Sequence, residues 1–216
     1  ENPFWTVAVV EAGGAEPVGT EAPSMYFTYD GSSIDWNQPL KPIKTACLGR
    51  SCSYPRGKVI GGTTVLNGLM YCRGDVSNYE EYESMGATGW TYKDVQRYFL
   101  KSENNLQREG PEHAKGGPLT VSYYNDVPSL GNIIREAGAE LGYPNDIDIG
   151  NGHLRQVFYR AQMTTRDGNR LSTAKAFLRP FVDKRTNLKF LIKAQVTRVL
   201  FNELNAAIGV EYVKNN

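Results

Sequence analysis

The sequence predicts a mixed α/β fold, with α+β elements, in which strands and helices are interleaved. Three observations carry this expectation. An apolar, β-branched run, Val7-Ala8-Val9-Val10, ends in Glu11-Ala12-Gly13-Gly14. A helical stripe of Leu130, Ile133, Ile134, Ala137 and Leu141 lies beyond the middle of the chain. Three short apolar segments, 188–193, 195–201 and 208–213, follow near the end. Strand signals at both ends with helical periodicity between them fit layered helix-and-sheet organisation.

Residues 5–10 read as a buried strand, because the run is continuously apolar and paired glycines stop it. Residues 15–55 are rich in Pro, Gly and Tyr and lack sustained periodicity, so a long lid-like excursion is expected. Connections of that length usually cover something. Thr91 opens a helix, with Asp94 three residues on as an acidic version of the capping box. Residues 104–118 are polar and Gly/Pro-rich and read as a loop. The helix over 129–141 meets its stop at Gly142. Residues 157–165 read as a strand and Arg166-Asp167-Gly168-Asn169 as a turn. Ser172 can cap a helix to about Val182, which Pro180 ends or kinks.

Composition narrows the function classes. The 216 residues suit one domain or part of a larger one, with 40% hydrophobic and 22% charged residues, ordinary for a globular chain. A net charge of +1 argues against nucleic acid or an anionic membrane as the main partner. No apolar run approaches the ~20 residues of a membrane span. The chain opens almost directly on a strand, with no charged-then-apolar leader, and stops just after another, so an internal piece of a longer protein is expected. Cys47 and Cys52 bracket a short segment; a small disulfide loop, implying an oxidising compartment, and two free thiols both remain open. Cys72 is expected as a small buried hydrophobe. His113 and His153 lie far apart on predicted loops, which disfavours a zinc site, so no metal ligand is assigned.

The most informative segment is Arg56-Gly57-Lys58-Val59-Ile60-Gly61-Gly62-Thr63-Thr64-Val65-Leu66-Asn67-Gly68. Paired glycines permit positive φ and close backbone approach, and neighbouring hydroxyls and amides can form an anion-tolerant nest. A tight turn before a helix explains the same residues on local chemistry alone. The segment is neither a Walker A loop nor a Gly-x-Gly-x-x-Gly fingerprint.

The run from Gly57 to Glu80 resembles the first signature of the glucose–methanol–choline (GMC) oxidoreductase family. It has Gly-Lys-x-Ile-Gly-Gly-Thr-Thr-x-Leu-Asn, then Tyr71, Gly74 and Glu80 in order. The flanks Val9–Gly14, Gly89–Glu103 and Leu171–Pro180 are similar to further family blocks, so the resemblance spans nearly the whole chain and is nearest to insect glucose-dehydrogenase-like members. It implies part of an FAD-binding domain over 1–216 with a Rossmann-like core, incomplete at both ends, and with the substrate and catalytic part elsewhere. The implied roles follow by position. Glu11 would accept hydrogen bonds from the adenosine ribose. Thr63 and the run Asn67, Gly68, Leu69 and Met70 would lie along the FAD pyrophosphate and flavin. The backbone of Val196 would meet the adenine. No covalent flavin link and no catalytic residue is assigned.

The implied activity is oxidation of a CH–OH group of an alcohol or sugar, with hydride passing to the flavin and on to an acceptor such as quinone, a dye-like acceptor or oxygen. Nucleic acid is not an expected partner, and a secreted location is expected. A non-catalytic or hydroxynitrile-lyase-like member on the same scaffold, or a truncated secreted binding protein, are the alternatives.

Overall fold

The computed structural model describes residues 2–124, 128–145, 148, 152, 153 and 156–214, so residues 1, 215 and 216 of the predicted domain lie outside it. The chain forms two compact units: Glu1–Gly68 with Ser172–Asn216, and Leu69–Leu171.

In the first unit, β1 (Val7–Val10) pairs in parallel with β6 (Leu188–Leu191), Val7 opposite Leu188 and Val10 opposite Leu191. The partners come from opposite ends of the chain, as parallel pairing requires a long connection. β1 is less buried than its apolar run predicts, with Val7 48% exposed. Its single described neighbour, β6, leaves that end of the strand uncovered. β7 (Ala194–Phe201) and β8 (Ala207–Lys214) form an antiparallel hairpin with irregular register between Val196 and Arg198. The Asn202 side chain accepts from the amides of Leu204 and Ala206, each at 3.0 Å, and closes the turn. All three strands expected near the end are therefore present.

The excursion over 15–55 is aperiodic apart from three short 3-10 turns. Asp35 anchors its return. Its carboxylate accepts from the amides of Arg56 (2.8 Å), Gly31 (2.8 Å) and Asn37 (3.1 Å). Burial opposes ionisation of Asp35, but these three amides hold its carboxyl below the usual range. Ile34, Val59, Val65 and Leu66 form the apolar core beneath, with Tyr29 packed on it. The helix expected after Ser172 shrinks to one wide π-type turn, Ala174–Leu178. Pro180 has no amide hydrogen with which to continue it.

In the second unit, α1 (Val76–Ser84) is capped by Asp75 and Asn78 acting reciprocally, and α2 (Tyr92–Ser102) by Thr91, whose hydroxyl oxygen accepts from the Asp94 amide at 3.3 Å. β2 (Glu103–Asn105) and β3 (Leu119–Val121) are parallel. α3 (Ser129–Glu140) ends before Gly142 at φ +84°. Its apolar stripe is exposed at Leu130, Ile133, Ile134 and Leu141. The helix packs instead through Gly138, where a Cβ would stand 2.2 Å from the Phe158 ring. β4 (Thr165–Arg166) and β5 (Asn169–Arg170) close on Asp167 and Gly168, both left-handed. The strand expected over 157–165 is reduced to isolated pairings of Phe158 with Asn145 and of Met163 with Met70 and Ser122. The segment changes partner every few residues, so no ladder propagates.

The interior of this unit is built on charge. Glu103, fully buried, takes Arg73 at 2.8 Å, the Asn105 amide group at 2.9 Å, the Ala114 amide at 2.9 Å and His113 at 3.1 Å. The other ring nitrogen of His113 meets Asp148 at 2.5 Å. Asn105 and Gln162 exchange two hydrogen bonds, both 2.9 Å. Burial opposes charge on His113, but the carboxylates of Asp148 and Glu103 outweigh it and push its pKa up to about 9. Burial likewise opposes ionisation of Glu103, and hydrogen bonds from His113, Asn105 and Ala114 hold it low. His113 lies on a loop, as predicted, but is buried. Cys72, expected to be buried, is exposed and free.

Candidate functional site

The glycine segment turns where β1 ends. Beyond Val10, the chain enters Glu11-Ala12-Gly13-Gly14 and lies against Lys58 and Val59. A Cβ on Gly13 would stand 1.8 Å from the Lys58 carbonyl oxygen, so no side chain fits there. Gly57 is equally closed: its Cβ would lie 2.3 Å from the Gly62 oxygen. The Ile60 amide donates to the Gly14 carbonyl at 3.0 Å and joins the two turns.

Gly61 and Gly62 take φ of +96° and +58°, values that a β-carbon disfavours. The chain then tightens into a 3-10 turn, Gly62–Val65. Thr63 accepts the Gly57 amide at 3.2 Å through its hydroxyl. The Thr64 hydroxyl donates to the Gly61 carbonyl at 2.5 Å and accepts the Thr173 amide at 3.0 Å. Thr173 adds its own bond to the Gly61 carbonyl at 3.0 Å. Ser172 is hydrogen-bonded to Glu16, and Glu16 pairs with Arg179 at 2.6 Å. The block containing Ser172 and Thr173, read from sequence as a helix cap, therefore also braces the turn from outside. Sequence reasoning missed this brace because nothing in local spacing joins residue 64 to residue 173.

Glu11 sits at the strand end. Its amide donates to the Leu191 carbonyl at 2.8 Å and its carbonyl accepts the Ala194 amide at 2.8 Å, which fixes it between β6 and the start of β7. One carboxylate oxygen accepts the Gly13 amide at 2.7 Å. Val196, in β7, is partly exposed beside the register irregularity. Asn67 and Gly68 are exposed at the end of the glycine segment, with the Tyr26 ring 3.8 Å from where a Gly68 Cβ would be. Leu69 and Met70 open the second unit. Leu69 is buried at φ +68° and its carbonyl accepts the Thr164 amide at 2.9 Å, while Met70 is exposed. The Arg56 guanidinium stacks on the Tyr54 ring, 4.0 Å from its centroid.

Two glycines differ from the closed ones. At Gly14 and at Gly62 a Cβ would meet nothing within 4 Å. Bare backbone therefore faces open space close to Glu11 in sequence and directly before Thr63. The Gly62 amide itself donates to the Val59 carbonyl at 2.7 Å, so what these positions offer is room for close approach rather than a free donor. Open space along the backbone, an acid at a strand end and a threonine at the turn are features that an elongated, hydroxyl-bearing group can use.

A family model described as GMC oxidoreductase matches residues 9–216. The chain is 44% identical over 218 residues to glucose dehydrogenase (FAD, quinone) of Drosophila pseudoobscura pseudoobscura, covering 98% of this chain and 34% of that protein. It is 34% identical to the oxygen-dependent choline dehydrogenase of Vibrio vulnificus, covering 96% and 37%. Among solved structures, pyridoxine 4-oxidase from Mesorbium loti superposes with a TM-score of 0.88 at 26% identity, over 99% of this chain and 42% of that one. The chain thus spans about a third of the length of the curated relatives it matches.

Proposed function

The chain belongs to the GMC oxidoreductase family, and from that premise we propose that it forms part of the FAD-binding framework of an enzyme oxidising a CH–OH group of an alcohol or sugar. The observation that carries this is the open backbone at Gly14 and Gly62, set beside Glu11 and Thr63, in a family whose curated relatives include proteins named for FAD.

Glu11 accepts the ribose hydroxyls with the carboxylate capacity left after the Gly13 amide. Gly14 and Gly62 let the backbone approach the dinucleotide, and Thr63 with Asn67 and Gly68 continues along it. Leu69 and Met70 extend the contact toward the flavin, and the Val196 backbone meets the adenine. Thr64 and Thr173 hold the turn and touch no ligand in this scheme. FAD, when bound, supplies the redox chemistry by accepting hydride from the substrate carbon. The chain itself binds, orients and excludes water.

The substrate is a small alcohol or sugar and the electrons pass to an acceptor such as a quinone, as the relatives' names suggest. His113 is not the proton acceptor, since both its ring nitrogens are engaged by acids in a buried network. The Cys47–Cys52 disulfide supports an oxidising, extracellular location. Residues 1–216 alone neither hold FAD tightly nor turn over alcohol in this reading.

The test uses the full-length polypeptide. It should copurify with FAD, and anaerobic addition of its alcohol substrate should bleach the flavin. A full-length protein that binds no flavin would sink the proposal. Isolated residues 1–216 that copurify yellow and reduce a dye with glucose would show that these residues suffice for binding and turnover, against this expectation.

A further inference from the structure

A second surface lies in the excursion over 15–55. Residues 41–51 are exposed without exception, and the Cys47–Cys52 disulfide staples their far end. The Ser51 hydroxyl donates to the Leu40 carbonyl at 2.6 Å and ties the loop's neck. At the tip, Cys47, Leu48 and Gly49 take φ of +51°, +53° and +73° in succession. Left-handed backbone is costly for Cys and Leu and persists only where the surroundings enforce it. Here it holds Leu48 outward, 89% exposed, with Ile43 also exposed in the same loop.

The charge carried by the loop itself is of one sign. Between Asp35 and Asp75 there is no acidic residue, while Lys41, Lys44 and Arg50 all fall in the loop. Among the described residues none of these three forms an ion pair. The near-neutral total charge of the chain thus conceals a local cationic protrusion with an apolar apex.

We propose that this stapled loop is a contact surface for an anionic phospholipid bilayer. An apolar tip flanked by cations can enter the headgroup layer while Lys and Arg stay among the lipid phosphates and carboxylates. An acidic protein would match the charge but not the size. A stable protein interface buries about 800 Å² on each partner, more than one short apex offers. One such loop gives weak, salt-sensitive association, which agrees with the chain's overall charge.

The experiment is vesicle co-sedimentation of the full-length polypeptide, and its outcome does not depend on the FAD reading. Phosphatidylcholine vesicles containing phosphatidylserine should retain the protein at low salt; pure phosphatidylcholine or high salt should release it. Neutralising the loop with Lys41→Gln, Lys44→Gln and Arg50→Gln should lower partitioning about a hundredfold. Leu48→Asn, which keeps a residue tolerant of left-handed backbone, should lower it about tenfold. All variants should keep the wild-type thermal transition, since the altered side chains are exposed. Absence of binding to the anionic vesicles overturns the proposal. So does binding that neither set of substitutions weakens, or retention by polyglutamate with none by vesicles.

Discussion

The two units solve the problem of a close-packed interior in opposite ways. Around the glycine segment, the first unit packs backbone on backbone: Gly13 and Gly57 leave no room for a β-carbon, and hydroxyls of Thr64 and Thr173 satisfy the carbonyl of Gly61. The second unit packs charge on charge, with Arg73, Glu103 and His113 buried together. The first arrangement tolerates no added atom at Gly13 or Gly57, and those backbone contacts involve no titrating group. The second tolerates changes of shape poorly too, yet its stability depends on protonation. A unit that leaves open space along its backbone at Gly14 and Gly62 has room for a ligand, and one built on a satisfied charge network is suited to hold itself.

Substitutions at the closed glycines sharpen this contrast most. Gly13→Ala or Gly57→Ala drives a β-carbon into backbone, which cannot swing aside, and should cost more than about 4 kcal/mol or prevent folding. Denaturant melts, with yield of soluble protein as a second readout, would reveal it; a wild-type midpoint for Gly13→Ala would refute the packing account. Next comes Glu103→Gln, which leaves the Arg73 guanidinium buried without its counter-charge. It should cost about 3–5 kcal/mol. Unlike the glycine changes, it should respond to pH.

His113 provides that pH test. Its folded pKa, about 9, lies above the ordinary 6.5. The charged groups facing it are Asp148 and Glu103, with Arg73 and Arg108 behind them. A raised pKa means the folded state binds the proton more tightly, so the stabilisation is complete below pH 6.5 and is lost as pH rises through 9. It amounts to about 2–3 kcal/mol. Thermal melts between those limits should fall more steeply for the wild type than for His113→Gln. Parallel slopes would remove the histidine from the account. Losing the Thr173 hydroxyl, as Thr173→Val, should have the smallest effect, about 1 kcal/mol, for it removes the brace's bonds while its backbone remains.

Much of this was legible in the sequence. The glycine segment, the cap at Thr91, the stop at Gly142 and the last three strands all rest on local signals, and each is found. What local signals could not supply was partnership over long separations. The charge network joins Arg73, Glu103 and Asp148 across loops of unrelated composition, so His113 was expected simply as a loop residue. The turn's brace from Ser172 and Thr173 was equally invisible. The stripe on α3 was read correctly as helical, but periodicity reports a face and not what covers it. The 157–165 segment has the right residues for a strand, yet no single partner runs alongside it.

The claim at the centre is that the open glycines and Glu11 hold the dinucleotide, and FAD affinity measured by fluorescence titration of the full-length polypeptide tests it most directly. Gly14→Ala fills open space without touching the fold, and Glu11→Gln keeps an acceptor for the Gly13 amide while removing charge. Each should weaken FAD binding about tenfold or more at unchanged thermal stability of the apoprotein. His113→Gln should leave affinity at the wild-type value. Wild-type affinity in both first-unit variants would contradict the account.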